Sequence, residues 1–326
     1  MKILVTGGAG FIGSHVVSQI LEEIPSAQIT VLDDFNDFYA PAIKRANVSG
    51  FGSRAEVIEA DIRDGGRVDA IFAAGGFDAV VHLAARAGVR PSIQNPALYI
   101  DTNVTGTYNL LEASRAHAVP KFVFASSSSV YGLNKKVPFS EDDPIQQTIS
   151  PYAATKLAGE QLCSNFAHLY GLQVVCLRFF TVYGPGQRPD LAVAKFTRAI
   201  ENGDPIDKYG DGSSGRDYTF VGDIVQGVMG ALRYEGAIFD IFNLGGAQTV
   251  SLNALIAAIE AATGKTARIN QMPEQPGDVP FTSADVSKAR RHLGFEPTTP
   301  IAAGVPKQVA WYREHVARAA EQPVGA

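Results

Sequence analysis

The sequence is poor in cysteine and has no large excess of charge. Only Cys163 and Cys176 are present, and their spacing fits neither a metal site nor a disulfide framework. Both lie in apolar runs, so we expect buried free thiols. The formal net charge is −5, from 28 Lys and Arg against 33 Asp and Glu. This balance argues against nucleic acid as a partner, whereas a local phosphate site stays open.

Long hydrophobic runs are absent as well. No stretch approaches the roughly 20 apolar residues that span a bilayer. The apolar run in MKILVTGGAG is soon interrupted by glycines and is too short for a signal peptide. Internal repeats and low-complexity segments are also missing. These features predict a cytoplasmic globular protein with no membrane partner and no metal.

Short β-branched runs alternate with longer helical patterns. Continuous apolar strands separated by helices are typical of βαβ units in a parallel sheet covered on both faces. The predicted strands are Ile3–Thr6, Ile29–Leu32, Val57–Ala60, Ala79–Leu83, Lys121–Ser126 and Val174–Phe179. The predicted helices are Phe11–Glu22, Tyr99–His117, Pro151–Tyr170, Ala192–Glu201, Asp223–Tyr234, Leu252–Thr263 and Ile301–Val316.

The amino-acid composition changes after about residue 180. Gly, Pro and Asp are frequent in Tyr183–Asp190 and Gly203–Gly215, which we interpret as loops. We therefore expect an α/β fold, with a Rossmann-type doubly wound parallel sheet over residues 1–180. A smaller C-terminal α/β substrate-binding domain is expected over residues 181–326, and a segment near 220–250 is expected to return to the first domain.

A glycine-rich turn joins the first strand to the first helix. In TGGAGFIGSH, Gly7, Gly10 and Gly13 suit a tight turn, close approach of a pyrophosphate and close packing of helix on strand. The helix that follows offers free N–H groups. Asp33 lies 20 residues after Gly13, where a carboxylate accepts from both ribose hydroxyls and repels a 2′-phosphate. The pattern predicts NAD and disfavours NADP.

Two further strand ends carry candidate cofactor contacts. Asp61 follows the third strand, where a carboxylate can face the adenine amino group or can cap a turn. Leu83, Ala84 and Ala85 end the fourth strand. Small residues there leave room for a cofactor at the carboxyl edge of the sheet.

Tyr152 and Lys156 open a predicted helix and share one of its faces, since they lie four residues apart. A neighbouring ammonium lowers the pKa of tyrosine from about 10 and makes the phenolate usable as a general base. The spacing alone leaves a surface pair equally open. The run Ser126–Ser129 ends the fifth strand, where a hydroxyl can bond a substrate oxygen and share its proton with Tyr152. A serine-rich loop is the plain alternative.

Together these features resemble the extended short-chain dehydrogenase/reductases, in the NAD-dependent epimerase/dehydratase group. The resemblance covers nearly the whole chain and includes TGGAGFIGSH, Asp33, NVTGT from Asn103, SSSSVYG, the Tyr152/Lys156 pair and RDYTFV from Arg216. It implies bound NAD, with Tyr152 as base, Lys156 on the nicotinamide ribose and Ser127 as the hydroxyl residue. The implied cofactor contacts are Gly7, Gly10, Phe11, Ile12, Gly13, Asp33, Asn36, Asp61, Ile62, Leu83, Ala84, Ala85, Asn103, Tyr152 and Lys156.

The residues after Ser127 separate the reactions of this family. Similar 4,6-dehydratases carry an Asp-Glu pair there, and UDP-glucuronate decarboxylases carry a Glu just before Val-Tyr-Gly. This chain has Ser128 and Ser129 at those positions. Without an additional acid, the resemblance favours the simpler redox cycle of a 4-epimerase.

Three segments resemble the UDP-glucuronate 4-epimerases: RFFTVYGPGQRPD from Arg178, DFNDFY from Asp34 and RAGVR from Arg86. Thr181 can donate a hydrogen bond to a hexuronate carboxylate, and Arg188 can neutralise that carboxylate. Arg188 also suits a loop ion pair or a diphosphate contact. Ala40 and Pro41, which follow DFNDFY, and Pro91 depart from the family pattern, which leaves the preferred hexuronate open.

Other substrate contacts are implied by the resemblance alone. Arg216 is similar to the family's diphosphate arginine, Asp278 to a contact at the uridine end, and Tyr209 lies where the family holds the nucleotide base. Ser127 and Ser128 complete the implied substrate residues. An ordinary turn or surface position is the alternative for the first three.

We therefore expect a UDP-glucuronate 4-epimerase that forms UDP-galacturonate through a 4-keto intermediate with bound NAD. The alternatives are a UDP-glucose or N-acetylhexosamine 4-epimerase, a UDP-glucuronate decarboxylase, and an NAD-binding module without activity, which would be expected to lose Tyr152 or Lys156. Family members often pair through two helices per subunit. Here these are Tyr99–His117 and Pro151–Tyr170, so a homodimer with a four-helix interface is expected.

Overall fold

The computed structural model describes residues 1–273 and 281–321. The strands are β1 Lys2–Thr6, β2 Gln28–Asp33, β3 Ala55–Glu59, β4 Ala79–His82, β5 Lys121–Ser127, β6 Gln173–Phe179, β7 Thr181–Tyr183, β8 Pro205–Tyr209, β9 Gly215–Phe220, β10 Phe239–Leu244, β11 Thr249–Ser251 and β12 Arg268–Met272. The helices are α1 Phe11–Glu23, α2 Pro41–Ser49, α3 Gly65–Gly75, α4 Val89–Gln94, α5 Pro96–Ile100, α6 Gly106–Ala116, α7 Pro151–Tyr170, α8 Ala192–Asn202, α9 Val221–Arg233, α10 Leu252–Thr263, α11 Ser287–Leu293 and α12 Ile301–Glu321.

The contacts divide the chain into two units. The first comprises Met1–Phe179, Val225–Leu244 and Asp285–Phe295. The second comprises Phe180–Ile224, Gly245–Ala284 and Glu296–Ala326. None of the described helices in either unit is long and apolar enough to cross a membrane.

Seven parallel strands form the sheet of the first unit, in the order β10-β6-β5-β4-β1-β2-β3. In the register, Val5 pairs with Val31 on one side and with Val81 on the other. All four residues of β4 are buried, as expected where both faces of a parallel sheet are covered. The strand order extends that of the doubly wound Rossmann fold. The predicted fold class is therefore confirmed.

The sequence of helix α7 defines its N-terminus and allows it to pack closely on β5. Ser150 caps the helix by accepting a hydrogen bond from the N–H of Ala153 at 3.1 Å, and Pro151 occupies the first turn. Gly159 faces Phe124 of β5, where a Cβ would lie 2.4 Å from the ring. The position of α7 on the sheet is thus set by packing at a glycine.

The second unit has smaller sheets of its own. The strand β9 pairs antiparallel with β11 and parallel with β7, whereas β8 and β12 form a separate parallel pair. Its core is built from residues of β7, β8, α8, α10 and α12, namely Tyr183, Val193, Phe196, Ile200, Ile206, Leu255, Ile256, Ile259, Val305 and Val309.

One local prediction is wrong. The segment Gly203–Gly215 was expected to be a loop, but it contains β8. Only Ile206 in this strand is fully buried, and the strand is held by pairing with β12, about sixty residues later in the chain. A strand formed by long-range pairing carries a weak local signal, which explains the error.

Candidate active site

The glycine turn after β1 leaves no room for side chains. Gly7 has a φ of +69°, and a Cβ there would lie 2.6 Å from the backbone nitrogen of Ala84. A Cβ at Gly13 would lie 2.1 Å from the carbonyl oxygen of Gly7. The helix α1 starts after Gly10, which has no side chain to cap the first N–H groups. The turn therefore presents bare backbone and an uncapped helix N-terminus, an arrangement that suits a pyrophosphate.

Asp33 ends β2, and its carboxylate is buried. It accepts hydrogen bonds from the backbone N–H groups of Ala9 at 3.2 Å and Phe35 at 3.0 Å. The ammonium of Lys44 lies 3.8 Å from Asp33 and 4.0 Å from Asp34. Burial raises the pKa of Asp33, and the positive charge of Lys44 opposes this rise. Each carboxylate oxygen has a further lone pair, so Asp33 can still accept from ribose hydroxyls.

Asn103 joins the loop after β4 to the helix α7. It lies in a π-helical segment, Asp101–Thr105, and is buried. Its side-chain oxygen accepts from the N–H of Arg86 at 2.8 Å, and its amide nitrogen donates to the carbonyl of Arg86 at 2.9 Å. The same amide nitrogen donates to the hydroxyl of Thr155 at 3.0 Å. Insertions of π-helix are frequent at functional sites, and this one clamps a predicted cofactor loop.

Arg86 bonds the other predicted cofactor loop, the one after β2. Its Nη1 donates to the side-chain oxygen of Asn36 at 3.0 Å, and its Nη2 lies 3.9 Å from Asp34. Its Nε is buried and has no hydrogen-bond partner among the described residues. A buried donor without a partner is costly, so this atom is suited to a ligand oxygen.

Ser127 ends β5, and its hydroxyl oxygen accepts from the N–H of Ser129 at 3.2 Å. The hydroxyl oxygens of Ser127 and Ser129 lie 2.9 Å apart, within hydrogen-bond distance. A serine hydroxyl has two lone pairs and one proton, so Ser127 can bond a further group at this end of the strand. Ser128 lies between the two, half-buried in a 3₁₀ turn.

Tyr152 lies in the first turn of α7 and is half-buried. Its ring packs edge-on against the buried ring of Tyr99, with centroids 6.3 Å apart. This contact orients the phenol. Lys156, one turn later, is almost fully buried and donates to the carbonyl oxygen of Ala125 at 2.7 Å. Burial lowers the pKa of Lys156 to about 8.

A buried ion pair supports α7, the helix that carries Tyr152 and Lys156. Glu160, one turn after Lys156, accepts two hydrogen bonds from Arg178 of β6, at 2.9 and 2.8 Å. Ser126 donates to the same carboxylate at 2.5 Å, and Arg178 donates to the hydroxyl of Tyr131 at 3.0 Å. The network therefore ties α7 to the strands and to the turn that carry the predicted serine.

Asp61 forms an ion pair with Arg63 at 2.6 Å and accepts from its backbone N–H at 2.8 Å. Although burial raises the pKa of Asp61, the hydrogen bonds from Arg63 hold it below its usual value. This geometry agrees with the capping alternative, and the adenine contact stays a prediction. The side chain of Ile62 packs in the core, so a cofactor contact there has to use its backbone.

Leu83, Ala84 and Ala85 are half-buried at the carboxyl end of β4. The N–H of Leu83 donates to the carbonyl of Thr6 at 3.0 Å, which keeps this loop beside the glycine turn. The remaining predicted turn residues, Phe11 and Ile12, begin α1.

The predicted carboxylate-binding residues lie in the second unit. Thr181 begins β7 and is half-buried. Arg188 donates to Asp190 through Nε at 3.0 Å and through Nη2 at 2.8 Å. The loop ion pair that was one alternative for Arg188 is therefore present, and a role in substrate binding stays a prediction.

Tyr209 ends β8, and Arg216 lies in β9, where its Nη1 donates to the carbonyl of Gly215 at 3.0 Å. Both are half-buried. Asp278, predicted at the uridine end, lies outside the described residues. The roles of these three residues stay predictions.

Three residues with apparent roles were not predicted. Lys44 lies on the short polar helix α2, and the sequence of this helix does not indicate that its lysine is buried. For Glu160, the sequence offers one indication, its position four residues after Lys156 on the same helix face. Arg86 stands directly after the small residues of a predicted cofactor strand, a position that could have identified it.

Comparisons with known proteins agree with this geometry. The GDP-mannose 4,6-dehydratase family profile matches residues 4–308. The chain is 43% identical to UDP-glucuronate 4-epimerase 1 of Arabidopsis thaliana over 331 residues, or 96% of this chain and 76% of the relative. It is 35% identical to the UDP-glucuronic acid 4-epimerase of Bacillus cereus, solved with UDP-glucuronic acid and NAD, with a TM-score of 0.90 over 97% and 100% of the two chains.

A UDP-glucose 4-epimerase of Thermotoga maritima, solved with UDP-glucose, is 34% identical with a TM-score of 0.89, again over 97% and 100% of the two chains. These similarities extend over nearly the entire chain and include both units. The resemblance predicted from the glycine turn, Asp33 and the Tyr152/Lys156 pair is therefore confirmed. The chain belongs to the extended short-chain dehydrogenase/reductases, in the NAD-dependent epimerase/dehydratase family.

Proposed function

We propose that this protein is a UDP-glucuronate 4-epimerase that interconverts UDP-glucuronate and UDP-galacturonate. Its Arabidopsis thaliana relative bears that name, and its Bacillus cereus neighbour was solved with UDP-glucuronic acid and NAD. The observation that carries the proposal is the pair Ser128 and Ser129, two hydroxyl residues at the positions where the dehydratases and decarboxylases of the family have an acid. The hydroxyl of Ser129 lies 2.9 Å from that of Ser127. A site with hydroxyls in place of an added acid suits a redox cycle at C4 without elimination.

The residues at the carboxyl edge of the first sheet fit NAD. Bare backbone at Gly7 and the uncapped start of α1 suit its pyrophosphate, and Asp33 suits the adenine ribose. The buried Nε of Arg86 offers a further donor. NAD held by these residues would supply reversible hydride transfer at C4 of the sugar, which the epimerisation requires.

Tyr152 acts in this proposal as the general base that takes the proton of the C4 hydroxyl. Lys156 favours the phenolate because its buried ammonium stands one helical turn away. Ser127, at the end of β5 beside Ser129, donates a hydrogen bond to the C4 oxygen. On the return step Tyr152 gives the proton back. Between the two steps, the 4-keto sugar turns about its bond to the diphosphate.

The carboxylate of the substrate has to be held firmly, because a 4-keto hexuronate is a β-keto acid and can lose CO2. We assign Thr181 and Arg188 to this task. A guanidinium can bind a carboxylate through two parallel hydrogen bonds. In the described structure Asp190 occupies Nε and Nη2 of Arg188, so the substrate carboxylate would compete with Asp190 for these donors. Decarboxylation would be suppressed if the bond between C5 and the carboxylate were held out of alignment with the C4 carbonyl.

The nucleotide end of the substrate is assigned to Arg216 for the diphosphate, with Tyr209 and Asp278 for the uridine, and Ser128 is assigned to the sugar. These assignments rest on the family resemblance.

We also propose a cytoplasmic homodimer. The buried free thiols of Cys163 and Cys176 suit a reducing compartment.

The dimer proposal is supported by apolar side chains exposed along the two predicted interface helices. Ile100 and Tyr108 are 54% and 46% exposed, and Leu169 and Tyr170 of α7 are 64% and 53% exposed. Exposed apolar groups on adjacent helices favour burial against a second copy. Light scattering of the purified protein measures the mass directly.

The substrate proposal is tested by product analysis. Purified protein is incubated separately with UDP-glucuronate, UDP-glucose and UDP-N-acetylglucosamine, and the products are identified by proton NMR. We expect UDP-galacturonate from the first and much slower conversion of the other two. A UDP-pentose with CO2 would indicate a decarboxylase, and preferred turnover of UDP-glucose would indicate a hexose epimerase. The variant Tyr152→Phe should retain NAD and lose turnover, whereas a binding module would show no turnover to lose.

A further inference from the structure

His82 is the last residue of β4 and is 1% exposed, yet both of its ring nitrogens have partners. Nδ1 lies 2.7 Å from the hydroxyl of Thr6, and Nε2 lies 2.9 Å from the hydroxyl of Thr107. No step of the proposed chemistry uses this ring. Its burial therefore calls for another reason.

The neighbours of the two threonines determine which ring nitrogen carries the proton. Thr107 donates its single proton to the carbonyl oxygen of Asn103 at 2.6 Å, so its oxygen can only accept from the ring. Nε2 of His82 is thus the donor, and Nδ1 accepts the proton of Thr6. The oxygen of Thr6 in turn accepts from the N–H of Ala84 at 3.3 Å. Each group in this series donates one hydrogen bond to the next, from the N–H of Ala84 through Thr6, His82 and Thr107 to the carbonyl of Asn103.

The ring has to stay neutral for the series to hold. A second proton on Nδ1 would face the hydroxyl proton of Thr6. Burial, with the charge of Lys156 as a second cause, lowers the pKa of His82 to about 3. The aromatic rings of Phe122 and Phe124 pack against the imidazole, with centroids 5.9 and 5.7 Å away. The surroundings and the bonding pattern thus favour the same neutral form.

The series joins the parts that hold the cofactor. Thr6 directly precedes Gly7, and the backbone of Ala84 contacts the same glycine. At the other end, Asn103 bonds Arg86 through its side chain and also Thr155, which precedes Lys156 on α7. The glycine turn, the loop after β4 and the catalytic helix are therefore connected through one imidazole.

We propose that His82 is a positioning residue for the NAD site, and that its fixed Nε2–H tautomer holds the glycine turn, the loop after β4 and Asn103 in one hydrogen-bonded frame. The inference rests on the proposed use of this sheet edge for NAD. It goes beyond the proposed reaction because it concerns a group that touches neither substrate nor reacting atoms.

Two variants break the series at different links. His82→Phe removes both ring bonds, and Thr107→Val removes the acceptor of Nε2 and the bond to Asn103. We expect each to raise the Kd for NAD about tenfold, measured by titration, and to speed the loss of NAD from the holoenzyme, because one or two buried hydrogen bonds are lost. Thr107→Ser keeps the hydroxyl and should restore binding to within about threefold of wild type.

The matched control is His117→Phe, since the ring of His117 bonds the carboxylate of Asp69 at 2.8 Å and lies outside the series. It should leave NAD binding unchanged. Circular dichroism checks that each variant is folded. If His82→Phe does not fold, the proposal is tested by comparing the Kd for NAD of Thr107→Val with that of Thr107→Ser. Unchanged NAD binding in folded Thr107→Val would overturn the proposal.

The tautomer gives a second readout, which tests the direction of the hydrogen-bond series itself. In holoenzyme labelled with ¹⁵N-histidine, the signal absent from His82→Phe or shifted in Thr107→Val belongs to this ring. We expect an Nε2–H pattern that does not change between about pH 5 and pH 8. An Nδ1–H pattern or a titration in that range contradicts the proposal. Both readouts need no sugar nucleotide, so inactivity toward UDP-glucuronate would refute the proposed function and leave this inference standing.

Discussion

The ammonium of Lys156 donates a hydrogen bond to the carbonyl oxygen of Ala125 at 2.7 Å, within the packed layer between α7 and β5. A cation in that position is costly to the fold, since it has left water for a site with a single backbone partner. In the proposed reaction this ammonium, one helical turn from Tyr152, favours the phenolate. We therefore expect stability and activity to be opposed at this residue.

Lys156→Met should stabilise the protein and abolish turnover. The pKa of Lys156 falls from 10.5 in the unfolded chain to about 8 in the fold, which corresponds to roughly 3 kcal/mol of unfolding free energy at neutral pH. The lost hydrogen bond to Ala125 offsets part of this, so we expect a net gain of about 1–2 kcal/mol in urea unfolding at pH 7.

The pH dependence follows from the lowered pKa. Below pH 8 both states of the wild-type chain bind the proton, and the cost of the buried ammonium is fully present. It fades as the pH rises from 8 toward 10.5, where the folded state has lost its proton and the unfolded chain still binds one. The control is Lys121→Met, which removes hydrogen bonds to Leu232 and Tyr234 outside the site and should keep turnover. A Lys156→Met protein less stable than wild type at pH 7 contradicts this account.

Glu160 and Arg178 should be strongly coupled. Glu160→Gln leaves the guanidinium of Arg178 buried without a counter-ion, and we expect a loss of about 3–5 kcal/mol in unfolding free energy. In the double variant Glu160→Gln with Arg178→Met, neither member of the pair is charged, so a large part of this loss should be recovered. Urea unfolding of the two single variants and the double variant measures the coupling. Losses that simply add in the double variant would show that the pair is not coupled.

Asp33 should determine the preference for NAD over NADP. Asp33→Asn removes the negative charge that opposes a 2′-phosphate, while Lys44 remains 3.8 Å from the same position and attracts one. We expect the ratio of the two dissociation constants to shift toward NADP by about tenfold or more, as measured by titration with each dinucleotide. Asp34→Asn is the matched control, because Asp34 shares Lys44 but is not predicted to contact the ribose. A ratio that is the same in both variants would exclude Asp33 as the discriminating group.

Arg188 should favour a charged sugar over a neutral one. Arg188→Met is expected to lower kcat/KM for UDP-glucuronate by about tenfold to a hundredfold, with a smaller effect on UDP-glucose. Asp190→Asn should act in the opposite direction on the uronate, because Asp190 no longer competes for the guanidinium. Equal losses on both substrates in Arg188→Met would assign this residue to the diphosphate or to the loop.

The parts of the site that were predicted are those with a local cause. The spacing of the glycines between a strand and a helix is a local signal, although the contact that excludes a side chain at Gly7 comes from the distant Ala84. The step of four from Tyr152 to Lys156 is a property of any helix. The Rossmann sheet likewise follows from its continuous apolar strands. Such features are visible in the order of residues alone.

The remaining parts depend on contacts between distant segments. The contact between Ser127 and Ser129 is set by a 3₁₀ turn whose geometry the serine run does not reveal. Lys44 is buried by neighbours on other elements, and β8 exists because β12 pairs with it. The clamp of Asn103 on Arg86 and Thr155 also spans three elements. Residue types indicate candidates for such roles, but only the fold brings the partners together.

The central claim, a reversible redox cycle at C4, is tested most directly with UDP-glucuronate that carries deuterium at C4. The label should leave and return within the same active site, so UDP-galacturonate should retain it at C4 by NMR and mass spectrometry, with no UDP-pentose formed. Exchange of the label with solvent, or release of CO2 with a UDP-pentose, would contradict the account.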